Sequence, residues 1–267
     1  MKPLSLASAL DTGKFTPKTV IDTRPGWMVV QGHSIRDIHN YGVLDVTGVL
    51  EYSSNVGVTK MVLASPPNQL IDLLSRCGFG QRTDSGYPGE SSGSLVRVKA
   101  ASPFVLATLG FGYGASITAI QLARSYLVFA NSGKLLPISL IHNQKNGEVI
   151  QALNDKTANQ VLTMMEAVVN TDVGTGRSAR VAGYRVAGKT GTARIAGKNG
   201  YEENRHIASF VGIAPVSDPR LIVAVVIYEP THGGYYAAAV AGPLFSKIMG
   251  ASLRILDVYP DGFTGTT

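Results

Sequence analysis

Three short runs in this 267-residue chain hold side chains that could act together: Lys189-Thr190-Gly191, Ser53-Ser54-Asn55 and Lys2-Pro3. On a strand, Lys189 would offer positive charge to a terminal carboxylate, and the Thr190 hydroxyl could hydrogen-bond it. Gly191 would leave room for a substrate backbone along the strand edge. The backbone N–H of Thr192, one residue on, could point at a developing oxyanion. Alone, Lys-Thr-Gly is a weak signal, better read as a solvated strand. Ser53-Ser54-Asn55 is also ambiguous by itself. A Ser-x-Asn triplet occurs about once by chance in a chain this size, and Ser and Asn favour helix caps. Its place between two apolar helical segments is more telling, because a connecting loop there could present Ser53 and Asn55 to a cleft.

A fourth pattern competes for the same residues. Gly183 to Thr190 matches the Gly-x-x-x-x-Gly-Lys-Thr phosphate loop. A phosphate loop must follow a buried strand and open a helix, whose first N–H groups hold the phosphates. Ser178 to Val181 is too short and polar for that strand, and Gly191, Gly197 and Gly200 leave no helix downstream. Tyr184, Val186 and Ala187 around Arg185 fit an extended strand. The nucleotide reading, which would predict Mg-ATP binding abolished by substitution of Lys189, is set aside.

The elements that must position these runs are mixed helices and strands without regular alternation. Leu4 to Leu10 reads as a helix stopped by Asp11-Thr12-Gly13, and Pro3 is tolerated in its first turn. Residues 14 to 45 are turn-rich, with an extended piece at Trp27 to Val30. Helical segments follow at Thr47 to Leu50, Val56 to Ala64, Gln69 to Cys77 and Ile117 to Ala130. Gly78 to Phe104 reads as a long surface loop, and Phe111 to Gly114 as a structural turn. Asp155 caps a helix with Val161, Leu162, Met165, Val168 and Val169 on one face. Tyr184 to Ile195, Ile207 to Ile213 and Leu221 to Tyr228 read as strands, the last two joined at Ser217-Asp218-Pro219-Arg220. Ala238 to Leu256 closes the chain as an amphipathic helix. The fold class expected is α+β, an antiparallel sheet packed with helices on both sides.

Composition narrows the function. With 45% hydrophobic and 16% charged residues, the chain has the make-up of a globular domain. No apolar run approaches the roughly 18 residues of a membrane span. The first eleven residues only faintly imitate a secretory leader, being interrupted by Pro3, Ser5 and Ser8. The net charge of +6 is dispersed, which suits a solvated basic surface and speaks against nucleic acid. Cys77 is the only cysteine, so no intrachain disulfide forms, and its apolar neighbours mark a packed thiol. His33, His39, His142, His206 and His232 show no metal-ligand spacing and read as surface or loop residues. Asp84 and Glu90 read as solvated.

Taken in order, Lys2, Ser53-x-Asn55 and Lys189-Thr190-Gly191 reproduce the Ser-x-x-Lys, Ser-x-Asn, Lys-Thr-Gly pattern of serine penicillin-recognising enzymes. One member is missing: its serine would stand three residues before Lys2, and no Ser-x-x-Lys occurs anywhere in the chain. Thr47–Met61, Phe111–Tyr126, Gly183–Arg194, Val211–Ile227 and Gly242–Met249 extend the likeness. The chain resembles the transpeptidase domain of the penicillin-binding protein 3 family, septal peptidoglycan D,D-transpeptidases.

The resemblance implies an acyl-enzyme mechanism with no cofactor and no metal. By motif, Lys2 would activate the serine, Ser53 would relay a proton, and Asn55 would orient Lys2 and the substrate amide. Lys189, Thr190 and Gly191 would bind the substrate carboxylate, and the Thr192 N–H would form half of the oxyanion hole. The implied partners are a D-Ala-D-Ala stem peptide, β-lactams and division-complex membrane proteins, on the periplasmic face of the inner membrane. Residues 1–267 would form one N-terminally truncated transpeptidase domain, without the family's membrane anchor and pedestal. Lys2, beside the chain start, is expected to fray, and the chain as given is expected not to acylate. Tyr235-Tyr236 would line a cleft rim or begin the last helix. Two readings compete: a non-catalytic D-Ala-D-Ala or division-partner binding module of the same fold, and a hydrolytic D,D-carboxypeptidase or β-lactamase relative.

Overall fold

The apolar run after Lys2 forms helix α1 (Lys2–Leu10), buried from Pro3 to Leu10. The computed structural model describes residues 1–95, 102–142, 147–197 and 200–262. They fall into two compact units, Met1–Met164 and Met165–Thr267.

In the first unit, α1 packs against α2 (Val46–Glu51), α3 (Asn55–Ala64), α4 (Gln69–Arg76) and α5 (Pro103–Phe111). A helix with no charge from Pro3 to Leu10 can be enclosed on all sides, and Leu4, Leu6 and Leu10 meet a core that includes Leu50, Met61, Leu73 and Leu109. α4 buries Leu70, Ile71, Leu73 and Leu74, with Asp72 in its first turn and Arg76 in its last, matching the helix dipole. Short antiparallel ladders pair β1 (Val20–Asp22) with β4 (Val43–Asp45), and β2 (Trp27–Val30) with β3 (His33–Arg36). The β2–β3 hairpin packs through Val30 and Ile35 on Ala107 of α5.

Two helical assignments differ from the sequence reading. Phe104 belongs to α5, where Ser102 caps Val105 N–H and Pro103 occupies the first turn, a Ser-Pro start signal inside the presumed loop. Gly112, at φ 110°, ends that helix in the left-handed region. Gly78 to Leu95 is irregular, as expected of a loop, and 96–101 lie outside the described residues. The single helix expected over Ile117 to Ala130 is two, α6 (Ala119–Ser125) and α7 (Leu127–Ala130). The Ser125 hydroxyl donates back to Leu122 O at 2.7 Å, a bond that competes with the helical ladder just where it breaks. A short pair, β5 (Lys134–Leu135) and β6 (Ile150–Gln151), and helix α8 (Asp155–Asn170) follow.

In the second unit, β7 (Ala187–Gly197), β8 (Gly200–Ala214) and β9 (Leu221–Tyr228) form an antiparallel sheet in that order. α9 (Ala237–Ile255) covers it. The rings of Phe210 and Phe245 stand 4.6 Å apart between sheet and helix. Gly188 and Gly212 make that possible, since a Cβ on either would come within 2.6 Å of a ring carbon. β7 begins three residues later than Tyr184, because Tyr184 closes a turn on Val181 and donates its hydroxyl to Val258 O at 2.7 Å. β7 continues to Gly197 with no helix after Lys189-Thr190, which removes the context a phosphate loop needs. Among the described residues no helix is long and apolar enough to cross a membrane.

Candidate active site

In the first unit the site is built on a helix start and a strained turn. Lys2 does not fray: it is the first residue of α1, and Leu4 and Ser5 N–H both bond to Met1 O. Its Nζ donates to Ser53 O at 2.5 Å and to Ser53 Oγ at 2.8 Å. Ser53 sits at φ 59°, a left-handed conformation uncommon for a non-glycine residue, and this turns its side chain and its carbonyl to one donor. Loss of solvent lowers the Lys2 pKa from 10.5 to about 8, against the opposing pull of the Asp37 charge.

Asp37, which the sequence reading passed over, organises this turn. One of its carboxylate oxygens accepts Asn55 N–H at 2.5 Å and Val56 N–H at 3.0 Å. The other accepts the Ser54 hydroxyl at 2.6 Å. Ser54 in turn caps α3 by accepting Gly57 N–H at 2.8 Å. A carboxylate at the first N–H groups of a helix also meets the positive end of its dipole. Gly57 lets α3 approach α2, since a Cβ there would lie 2.6 Å from Val49. The Asn55 amide donates to Arg36 O at 2.9 Å. The short side chain at the helix start is spent on fastening α3 to β3.

In the second unit the site lies on β7. Lys189 is 5% exposed, and its Nζ donates to Thr190 Oγ1 at 3.0 Å, Thr175 Oγ1 at 3.2 Å and Thr190 O at 3.3 Å. Thr190 Oγ1 donates to Thr175 Oγ1 at 3.1 Å. Thr175 is a second residue missed by motif reading. It is held in Gly174-Thr175-Gly176, where a Cβ on Gly174 would fall 2.2 Å from Val168 O. That paired-glycine spacing was its only sequence signal. Gly191 also has a structural reason: a Cβ there would meet Ser209 Oγ of β8 at 2.6 Å. Its emptiness is filled by the neighbouring strand. Thr192 Oγ1 accepts Ala237 N–H at 3.1 Å and so ties the start of α9 to β7.

The remaining candidates resolve as structure. Cys77 is buried and its thiol is pushed up to about 12, so it is inert as a nucleophile. Glu90 is not merely solvated, for it accepts from the backbone and side chain of Thr83. His33 stacks on Phe104, and His206 lies on strand β8, stacked on Tyr235 at 4.1 Å between ring centres. Tyr235 and Tyr236 immediately precede α9. Among the described residues no group of His, Cys, Asp and Glu could hold a metal ion.

An α+β fold with a lysine-held serine turn in one unit and a hydroxyl-held lysine on a strand in the other defines a class. The model of the penicillin-binding protein transpeptidase domain matches residues 1–250. The chain belongs to that family. It is 42% identical over 261 residues to "Probable peptidoglycan D,D-transpeptidase PbpC" of Pseudomonas aeruginosa, covering 98% of this chain and 46% of that protein. It is 39% identical over 264 residues to peptidoglycan D,D-transpeptidase FtsI of Escherichia coli, covering 99% and 44%. Among solved structures, the apo transpeptidase domain of Burkholderia pseudomallei penicillin-binding protein 3 superposes with a TM-score of 0.91 at 39% identity. That match covers 97% of this chain and 79% of the other. The chain spans about half the length of these two curated relatives.

Proposed function

We propose that this chain is the catalytic domain of a septal peptidoglycan D,D-transpeptidase, a longer protein anchored at the periplasmic face of the inner membrane. The observation that carries the reading is Lys2, an amine lowered to about 8 and bonded to the Ser53 hydroxyl. A base is most effective when its pKa lies near the working pH, and a neutral amine can take a proton from an alcohol.

The nucleophile is a serine three residues before Lys2, ahead of Met1. Its hydroxyl gives a proton to Lys2 as its oxygen bonds to the penultimate D-Ala carbonyl of a stem peptide. The Thr192 N–H donates to the oxyanion. The carbon–nitrogen bond breaks, and the terminal D-Ala leaves with a proton passed from Lys2 through Ser53. An amine of a neighbouring stem peptide then attacks the ester, forming the cross-link and returning the proton to the serine. Lys189 and Thr190, with Thr175 behind them, bind the terminal carboxylate. Asn55 fastens the start of α3 and so fixes the Ser53 turn. β-Lactams acylate the same serine, and division-complex membrane proteins place the domain at the septum.

The 267-residue chain contains no Ser-x-x-Lys and, by this reading, binds D-Ala-D-Ala peptides without acylation. Fluorescent penicillin applied to this chain and to one carrying Gly-Ser-Thr ahead of Met1 tests both statements. Labelling of the extended form alone is the expected result. Labelling of the unextended chain would remove the serine assignment, and labelling of neither, with both folded, would remove the site assignment.

A further inference from the structure

The turn that carries Ser53 has a backbone suited to another residue. α2 ends at Tyr52, beyond which Ser53 N–H bonds to Leu50 O at 3.2 Å and Ser54 N–H to Val49 O at 3.0 Å. These two bonds, with Ser53 at φ 59°, make a Schellman turn in which Ser53 stands where glycine is usual. Glycine takes that conformation without steric cost and serine does not, so the hydroxyl at this position destabilises its own turn. Such turns are frequently closed by an apolar contact from the next residue. Here that residue is Ser54, whose hydroxyl is spent on Asp37 and on Gly57 N–H.

Beside this turn stands an aromatic pair. The Tyr52 ring packs on the Tyr41 ring with centres 4.9 Å apart, and His39 meets Tyr41 edge-on at 6.0 Å. Tyr41 lies in the link between β3 and β4, yet the backbone around it is pinned. Asn40 Oδ1 accepts Gly42 N–H at 3.0 Å. Gly42 O accepts both the N–H and the hydroxyl of buried Thr23, at 2.8 and 2.7 Å. Burial and the Asp37 charge raise the Tyr41 pKa, so the phenol lies within reach of the carboxylate that grips Ser54 and the start of α3.

We propose that the Tyr41–Tyr52 ring pair holds the Ser53 turn in its left-handed form, which makes both tyrosines positioning residues for the proton relay. They act through Ser53 and touch no substrate. The inference rests on the transpeptidase reading, in which Ser53 passes the proton from Lys2 to the leaving nitrogen. Ring packing fixes the Tyr52 side chain and with it the direction in which the chain enters Ser53. Without that packing the turn relaxes toward negative φ, and Ser53 Oγ leaves Lys2 Nζ, its partner at 2.8 Å.

Thermal unfolding and acylation kinetics test this together. In the 267-residue chain, Tyr41→Ala is expected to lower the unfolding midpoint by about 3 °C, the effect of one lost aromatic pair. In a Ser53→Gly background the loss is expected to shrink, because glycine needs nothing to hold it at positive φ. Equal losses in the two backgrounds would make Tyr41 ordinary packing and overturn the proposal. In the Gly-Ser-Thr-extended chain, Tyr41→Ala is expected to slow penicillin acylation about tenfold and to leave the noncovalent affinity for the β-lactam within about twofold. Tyr41→Phe, which keeps the ring, is expected to recover the rate. Lost affinity with the rate intact overturns the proposal, and so does a Tyr41→Phe variant as slow as Tyr41→Ala. Should Tyr41→Ala not fold, Tyr41→Leu, which fills much of the space without an aromatic face, is read in its place. Labelling of the extended parent together with equal unfolding losses removes this inference alone. No labelling of the extended parent removes the transpeptidase reading, and the relay role falls with it.

Discussion

Lys2 and Lys189 both place an ammonium group among hydroxyls, yet they are built in opposite ways. Lys2 projects from the first turn of a helix and reaches a turn 51 residues away in sequence. Lys189 lies inside a strand and is met by Thr190 beside it and Thr175, 14 residues back. Around Lys2 the backbone is under strain at Ser53, and the strain is held by Asp37 across three hydrogen bonds. Around Lys189 the backbone is a regular ladder, and glycines at 174, 188 and 191 admit neighbouring atoms where a Cβ would collide. On the proposed reading, a base whose proton must move is set by a tuned local environment, and a charge that must only attract is set by rigid placement.

The largest effect that could break this contrast is at Lys2. In the Gly-Ser-Thr-extended chain, Lys2→Ala is expected to slow penicillin acylation by about a thousandfold, the range of a lost general base. A variant retaining a tenth of the rate would remove Lys2 from that role. Lys189→Ala is expected to cost about thirtyfold, as one charge-assisted contact to the carboxylate is lost, chiefly in binding of the β-lactam. If it instead matched Lys2→Ala with binding intact, both lysines would belong to proton transfer.

The pH profile sharpens the comparison further. With a pKa of about 8, the neutral fraction of Lys2 rises with pH, so the acylation rate is expected to climb about tenfold per unit below pH 8 and to level above it. Folding responds in the same direction. Between pH 8 and 10.5 the unfolded chain binds more protons at Lys2 than the folded one, so this group makes stability rise with pH across that window. Below pH 8 both states hold the proton and the cost of the sequestered ammonium is fully present. Asp37→Asn removes the charge that raises the Lys2 pKa, so the inflection is expected to move to lower pH. The same change weakens the α3 cap, at about 1 kcal/mol, and should slow acylation about tenfold through the loosened Ser53 turn. An unmoved inflection would show that the Asp37 charge does not reach Lys2. The smallest effect is expected for Thr175→Val, about threefold in β-lactam binding, because Lys189 keeps its bond to Thr190.

Much of this was legible before any coordinates. Local patterns carry their own geometry: the helical segments that became α1, α2, α3 and α4 follow from residue type and spacing. The long strands β8 and β9 announced themselves by β-branched runs, whereas the three- and four-residue strands of the first unit are too short to show a period. α5 was hidden in a stretch rich in Gly and Ser, although Ser102-Pro103 marked its start. Asn55 was read as a partner of Lys2, whereas its bond to Arg36 O, which fastens α3 to β3, had no signal in the sequence.

What the sequence by itself determined is the order of the three motifs, the α+β class and the identity of two lysines, because these depend on neighbours along the chain. What tertiary structure alone decided is how each lysine is held. Asp37 lies 17 residues from Ser54, and Thr175 lies 14 from Lys189, with no pattern in between to join them. The physical reason is that hydrogen bonding and desolvation act over a few ångströms of space, whatever the separation in sequence. A single carboxylate brought to the start of α3 holds the Ser53 turn beside Lys2, and that closeness is a product of packing.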